Sequence, residues 1–258
     1  MVTIPKTKPN LDVDWFKQYC DKIAIMQEGP HWYFQDYSVE QQFQFVENLR
    51  KANWVWCHNE SDVSYYKGLG CKDVRVMRSL MITDGLIPRS EWGNATMIGG
   101  NMVSWYGGFD SYIVAREIGD SISAPSMGRK IDREDEMDIS HLPYMNWLTW
   151  MNNLSRFKYA VHLMPTHAAG TFALNCAYHG IPCIGYKGLD TQELCFPKLS
   201  VDVGDLERAK VLSQHLKVDK HFYKECGDMA KEKFNTLYSE NVYIYNMKKV
   251  IEKVMLND

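Results

Sequence analysis

The chain has 258 residues, 45% hydrophobic and 24% charged, with a net charge of −3. These are the proportions of a globular protein, and the near-balance of charge gives no broad attraction to nucleic acid or anionic lipid. No apolar stretch is long enough to span a bilayer, and the opening residues, MVTIPKTKPNLDVDW, lack the apolar core of a signal peptide. The seven cysteines are odd in number and scattered without a CxxC, which implies free thiols in a reducing compartment and a cytoplasmic protein. The length fits one large domain or two small ones. The 15 Tyr and 8 Trp serve a large core more readily than a stacking surface.

In chain order, residues 1–10 read as a leader laid on the surface or poorly ordered. A short helix over 14–21, a strand over 22–27 and a helix over 38–52 follow. Ser38 and Gln41 form a capping-box pattern, and Phe43, Val46 and Leu49 are the expected apolar stripe. Strands over 53–57 and 73–77 flank a helix over 61–69. Residues 88–94 read as a linker. A second α/β pattern then begins: a strand over 95–98, a helix over 109–118, a strand over 121–125, an acidic solvated loop over 132–138, a short strand over 139–142 and a helix over 144–156. A turn at 192–197, a strand over 199–203 and helices over 205–216, 221–238 and 242–256 complete it. The pattern predicts two α/β domains, and clefts between such domains are favoured ligand sites.

The most informative stretch is KYAVHLMPTHAAGTFALNCAYHGIPCIGY, residues 158–186. It reads as a buried strand, a small-residue loop, a helix over 171–179 and a second buried strand, which is a βαβ unit. The start of that helix leaves backbone N–H groups without intrahelical partners, and with the helix dipole they favour an anion. Ala168, Ala169, Gly170 and Thr171 add little bulk there. The residues alone leave two readings open, an anion-binding loop or a tight turn built from small residues for packing.

Together with Ile98-Gly99-Gly100-Asn101 and Gly128-Arg129-Lys130, this stretch resembles the donor-binding half of GT-B-fold glycosyltransferases. The resemblance covers residues 93–256. It implies an α/β protein with Rossmann-type parallel sheets and closing helices: a partial acceptor-side domain over 1–92, a donor-binding domain over 93–240 and a C-terminal helix over 241–258. Where many retaining members carry two glutamates, this chain has His167 and Asn175; Asn175 is expected to bond a donor hydroxyl as a neutral substitute. The first domain lacks the Gly-rich loop expected after its first strand.

The resemblance further implies transfer of a sugar from a nucleotide-sugar co-substrate, with no cofactor and no metal, to a sugar, lipid or protein acceptor. Gly99, Gly100 and Asn101 would offer backbone donors to the diphosphate, and Arg129 and Lys130 a cationic clamp. Thr166, Gly170 and Thr171 would cradle phosphates or sugar. His31, Asp36 and His58 follow strand ends and are candidate bases for an acceptor hydroxyl, and Trp32 and Tyr33 are candidate stacking rings. Metal ligation is not indicated: Asp12-Val13-Asp14 lies in the leader, His162 and His167 lack a zinc spacing, and Cys57-His58 lacks partners. The alternatives are a sugar-nucleotide 2-epimerase and a non-catalytic nucleotide-sugar-binding module. A homo-oligomer is one way to cover the sheet edge of a short first domain.

Overall fold

A computed structural model describes residues 2–4, 12–27, 29, 33–87, 89, 93–119, 121–126 and 134–256. The chain forms two compact units, Met1–Arg78 with His167–Ala169, and Ser79–Thr166 with Gly170–Asp258. The division falls at Arg78/Ser79, not at 92/93. Met81 is buried in the core of the second unit, and Arg89 donates to the carbonyls of Ser155 and Phe157 at 3.0 and 2.6 Å. The last helix also belongs to the second unit.

The first unit runs β1 (Val2–Ile4), α1 (Val13–Lys17), β2 (Ala24–Gln27), α2 (Val39–Lys51), β3 (Trp54–Cys57), α3 (Asp62–Gly68) and β4 (Val74–Val76). Its four strands are parallel in the order β1-β2-β3-β4, with Ile25 opposite Val55 and Val55 opposite Val74. Every crossover steps in the same direction, so the right-handed rule places the helices on one face. One shared core confirms this: Val13, Phe45, Leu49 and Tyr66 from the helices pack with Ile25, Val55 and Cys57.

Two expectations fail here. Part of the expected leader is a strand, because Val2-Thr3-Ile4 is rich in β-branched residues and pairs with Ile25–Gln27. Of the expected α2 stripe, Leu49 is buried and Val46 packs against the core, while Phe43 is 69% exposed and Phe45, Asn48 and Ala52 complete the buried face. Positions 45, 48, 49 and 52 share a face at the helical period; position 43 is turned away from it. The Ser38–Gln41 capping box does form. Asp12 and Asp14 have structural roles, Asp12 capping α1 through the N–H groups of Asp14 and Trp15, and Asp14 pairing with Lys51.

The second unit runs β5 (Thr96–Ile98), α4 (Gly108–Ile118), β6 (Ile122–Pro125), β7 (Ser140–Leu142), α5 (Trp147–Leu154), β8 (Tyr159–His162), α6 (Thr171–His179), β9 (Cys183–Tyr186), α7 (Asp190–Cys195), β10 (Ser200–Val201), α8 (Leu206–Val218), α9 (Lys220–Leu237) and α10 (Glu240–Leu256). Its six strands are parallel in the order β10-β9-β8-β5-β6-β7. Residues 192–195, expected as part of a turn, close α7. Glu134, expected in a solvated loop, is 2% exposed and lies 2.9 Å from His141 Nε2, because a carboxylate taken out of water needs a partner.

This strand order fixes where a ligand would sit. From β5 the chain moves to β6 on one side, and from β8 to β9 on the other. Right-handed crossovers then put α4 and α6 on opposite faces. The carboxyl ends of the adjacent strands β5 and β8 open between them, at the topological switch point of the sheet. The core beneath is apolar: Met97, Ile98, Ala160, Val161, Leu163 and Ile184 are fully buried. All seven cysteines are free thiols, six of them buried.

Candidate functional site

Six of the candidate donor-site residues meet at the switch point: Gly99, Gly100 and Asn101 after β5, and Thr166, Gly170 and Thr171 between β8 and α6. Gly99 is there for packing. A Cβ on it would lie 2.6 Å from both the His162 and the Phe172 ring, and its N–H is donated to Val161 O at 2.9 Å. Gly100 has φ +75°, which turns the chain out of β5.

Gly170 starts α6 with φ +64°, and a Cβ there would sit 1.9 Å from Thr191 Oγ1, which donates to Gly170 O. No side chain caps α6 and its first turn holds no acid. The first turn of α4 differs: it carries Asp110, which accepts from Tyr186 OH at 3.2 Å. Burial and that carboxylate push the Tyr186 phenol up to about 12. Of the two helices that flank the switch point, α4 and α6, α6 is the one with no acid in its first turn.

Two buried polar atoms at the switch point have no partner among the described residues, Asn101 Oδ1 and His162 Nε2. Buried polar groups are nearly always hydrogen-bonded, so these two atoms are available to a molecule bound at the switch point. His162 ends β8 and lies against Tyr106 and Phe172, with ring centroids 6.4 and 5.1 Å away. Burial pushes its pKa down to about 4, so the ring is neutral at physiological pH. Sequence reasoning weighed His162 only as a zinc ligand; the available signal for a site residue was a polar residue closing an otherwise apolar strand, Tyr-Ala-Val-His.

Asn175 is not at the surface of the site. With its amide oriented to satisfy both neighbours, it donates to Thr171 O at 2.9 Å and accepts from Trp150 Nε1 at 3.0 Å. It ties α5 to the first turn of α6, and it is 5% exposed. Thr166 donates its hydroxyl to Trp105 O at 3.2 Å. Arg129 and Lys130 lie outside the described residues, as do His31 and Trp32.

In the first unit, His58 follows β3 and Asp36 sits exposed in a 3-10 turn, Tyr33–Asp36. No hydrogen bond or ion pair joins them. Burial lowers the His58 pKa against the pull of Asp62. The polar cluster of this unit is a different one. Asn59 Nδ2 donates to Asp62 Oδ2 at 2.9 Å and to Ala168 O at 3.0 Å. His167 Nδ1 stands 3.7 Å from Asp62 Oδ1 and 3.5 Å from Ser61 Oγ. A carboxylate placed this way holds an imidazole in one orientation. Asp62 and Asn59 gave no signal in sequence, because nothing in the spacing links residues 59–62 to 167. Among the described residues no group of three side chains could hold a metal ion.

No protein-family model and no curated protein sequence matches the chain. Solved structures do. Sucrose-phosphate synthase from Thermosynechococcus elongatus superposes with a TM-score of 0.74 at 12% identity, covering 95% of this chain and 71% of that one. Anabaena Alr3699/HepE, solved with UDP-glucose, gives 0.71 at 9% identity, covering 89% and 72%. S. aureus TarM, solved with fondaparinux, α-GlcNAc-glycerol and UDP, gives 0.69 at 11% identity; 88% of this chain matches 50% of that protein. No helix among the described residues is long and apolar enough to cross a membrane. The chain thus has the α/β fold of the GT-B glycosyltransferases and spans half to about three quarters of the length of these proteins.

Proposed function

We propose that the chain is a glycosyltransferase that moves a sugar from a nucleotide-sugar donor to an acceptor hydroxyl, with no resident metal or cofactor. The observation that supports this most directly is the pair of unpartnered buried atoms, Asn101 Oδ1 and His162 Nε2, at the switch point of the six-stranded sheet. In the reaction the bond between the anomeric carbon and the diphosphate oxygen breaks, and the diphosphate keeps the electron pair. The acceptor oxygen forms the new bond, and its proton passes to the departing diphosphate or to solvent. Charge builds on the diphosphate, and the uncapped N–H groups and dipole of α6 favour it there. Arg129 and Lys130 supply the fixed positive charge. Asn101 Oδ1 accepts from a donor hydroxyl.

The test is titration of the full chain with UDP, GDP, ADP and their sugar conjugates, followed by melting temperature. Binding to the folded state raises the melting temperature by mass action. The expected result is a rise with one nucleotide, weakened about tenfold in affinity by Asn101→Ala and by Arg129→Ala. A folded chain whose melting temperature moves with none of them overturns the reading. Turnover of the bound donor with sugar, lipid or peptide acceptors then measures transfer.

A second reading, a module that holds the nucleotide sugar without transferring it, draws on Asn175. Its amide is used up between Thr171 and Trp150, where many retaining members of the fold carry a glutamate. Saturable donor binding with no product from any acceptor would favour that reading.

A further inference from the structure

At the amino end of β8, away from the switch point, the second unit contains a cavity of about 460 Å³. This is a volume typical of small-molecule sites. Six cations line it: Arg89, Lys158, Lys217, Lys220, Lys224 and Lys231. A single carboxylate accompanies them, Asp228, and it is already paired with Lys224. Among the described residues Lys158, Lys217, Lys220 and Lys231 make no ion pair.

Helix ends explain only part of this concentration. Lys217 lies in the last turn of α8, where a cation complements the helix dipole. Lys231 lies along Gly180 at the end of α6, for the same reason. Lys220 and Lys224 have no such explanation. They stand in the opening turns of α9, at the positive end of its dipole, and the first turn of α9 holds no acid. Lys224 is offset by its pair with Asp228, and the N-cap Asp219 accepts from the N–H groups of His221 and Phe222. Charges placed against a dipole and close to like charges raise the local potential, and an anion lowers it.

An independent observation comes from His179, which ends α6, lines the cavity and is 1% exposed. Its Nε2 lies 3.0 Å from Met151 O and so carries the proton. That leaves Nδ1 as a lone-pair acceptor, and it is buried with no partner among the described residues. Burial pushes the His179 pKa down to about 4, so Nδ1 stays unprotonated near neutral pH. Lysines cannot be its only companions in an occupied site, since the occupant they attract is an anion and Nδ1 needs a hydrogen-bond donor. A hydroxyl on the same molecule supplies it.

We propose that this cavity is a second binding site, distinct from the switch point, for a small molecule bearing two or more phosphate groups and a free hydroxyl. The phosphates lie among Lys217, Lys220 and Lys231, and the hydroxyl donates to His179 Nδ1.

Calorimetric titration of the full chain tests this, with fructose bisphosphate and pyrophosphate as probes at low salt. Fructose bisphosphate is expected to bind saturably and about tenfold more tightly than pyrophosphate, which has no hydroxyl to offer. Rising salt weakens both. The exposed double substitution Lys217→Ala with Lys220→Ala is expected to weaken fructose bisphosphate about tenfold or more while leaving UDP affinity within about twofold. His179→Phe, checked for folding by its melting curve, is expected to abolish the preference for fructose bisphosphate. The proposal is overturned if no saturable binding occurs below about 1 mM, or if the double substitution leaves affinity unchanged. Equal affinity for the two probes in the unsubstituted chain also overturns it. So does binding to phosphatidylcholine vesicles containing phosphatidic acid in the absence of binding to either soluble probe, which would assign the lysines to a lipid surface.

Discussion

The two ends of the six-stranded sheet are built from opposite materials. Where β5 and β8 end, the walls are glycine backbone, ring faces and neutral polar atoms. Where β8 begins, the walls are lysine. Helix α6 runs between the two, with its positive pole at the first and its negative pole at the second. At its negative pole the protein supplies cations of its own. At its positive pole it supplies no anion, although the neighbouring α4 has one in Asp110. The difference teaches how to tell a structural helix end from a receptive one: the former is complemented by its own chain, and the latter is left for something else to complement.

The largest test of this comparison is pH. Each end holds a buried neutral histidine, His162 at one and His179 at the other, with folded pKa values of about 4 against a usual 6.5. The unfolded chain therefore takes up protons first as the pH falls. Stability is full above about pH 6.5 and is lost toward pH 4, on the order of 3 kcal/mol for each histidine. Urea unfolding across that range measures it. His162→Gln should remove about half of the slope; an unchanged slope would mean that the ring at the switch point is already charged or solvated.

Glycine substitutions sharpen the contrast. Gly99→Ala meets two rings at 2.6 Å and should cost about 2 kcal/mol through overpacking. Gly180→Ala meets the far end of Lys231 at 2.5 Å, a chain that can swing away, and the Gly227 carbonyl only at 3.2 Å, so the cost is mostly that of φ +64°, about 1 kcal/mol. Equal losses in the two variants would contradict the idea that the rings around Gly99 yield less readily than the Lys231 side chain at Gly180. Asn175→Ala strands Trp150 Nε1 without an acceptor and should cost about 1.5 kcal/mol by denaturant unfolding, with no direct loss of a ligand contact. The smallest effect belongs to the lysines. Lys220→Ala should raise the melting temperature slightly at low salt and not at all at high salt, because repulsion between exposed charges is screened.

The strands and helices of the second unit were legible in sequence because each carries its own punctuation. Gly170 and Gly180 bracket α6 and give its bounds directly, and the apolar runs ending at His162 and Tyr186 give β8 and β9. What the sequence hid was pairing at a distance. Nothing near Asn175 reveals that Trp150 will consume its carbonyl, and nothing near Asn59 points to residue 168. The polarity of Glu134 suggested a solvated loop, and only the partner His141 explains its burial. In α2 the spacing allowed two neighbouring stripes. Burial selected the one through Phe45, because that face meets Ile25 and Val55. The site was half legible: glycines and threonines flagged the loop, while the buried atoms that argue for a ligand, on Asn101 and His162, depend on what fails to surround them.

The first unit is discontinuous in sequence, and this bears on how the protein is made. The amide of Asn59 finds its second acceptor at Ala168, 109 residues further along the chain. During synthesis the first four strands leave the ribosome well before that acceptor exists. The bond from Asn59 to Asp62 can form early, while the bond to Ala168 and the contact of His167 with Asp62 are still to come. Domains usually fold unit by unit from the amino end; here the first unit gains its last three residues, His167–Ala169, only after part of the second unit's sheet has been translated. A stall or truncation between residues 78 and 167 would leave a nascent product with an incomplete polar core, a natural substrate for a chaperone or a protease.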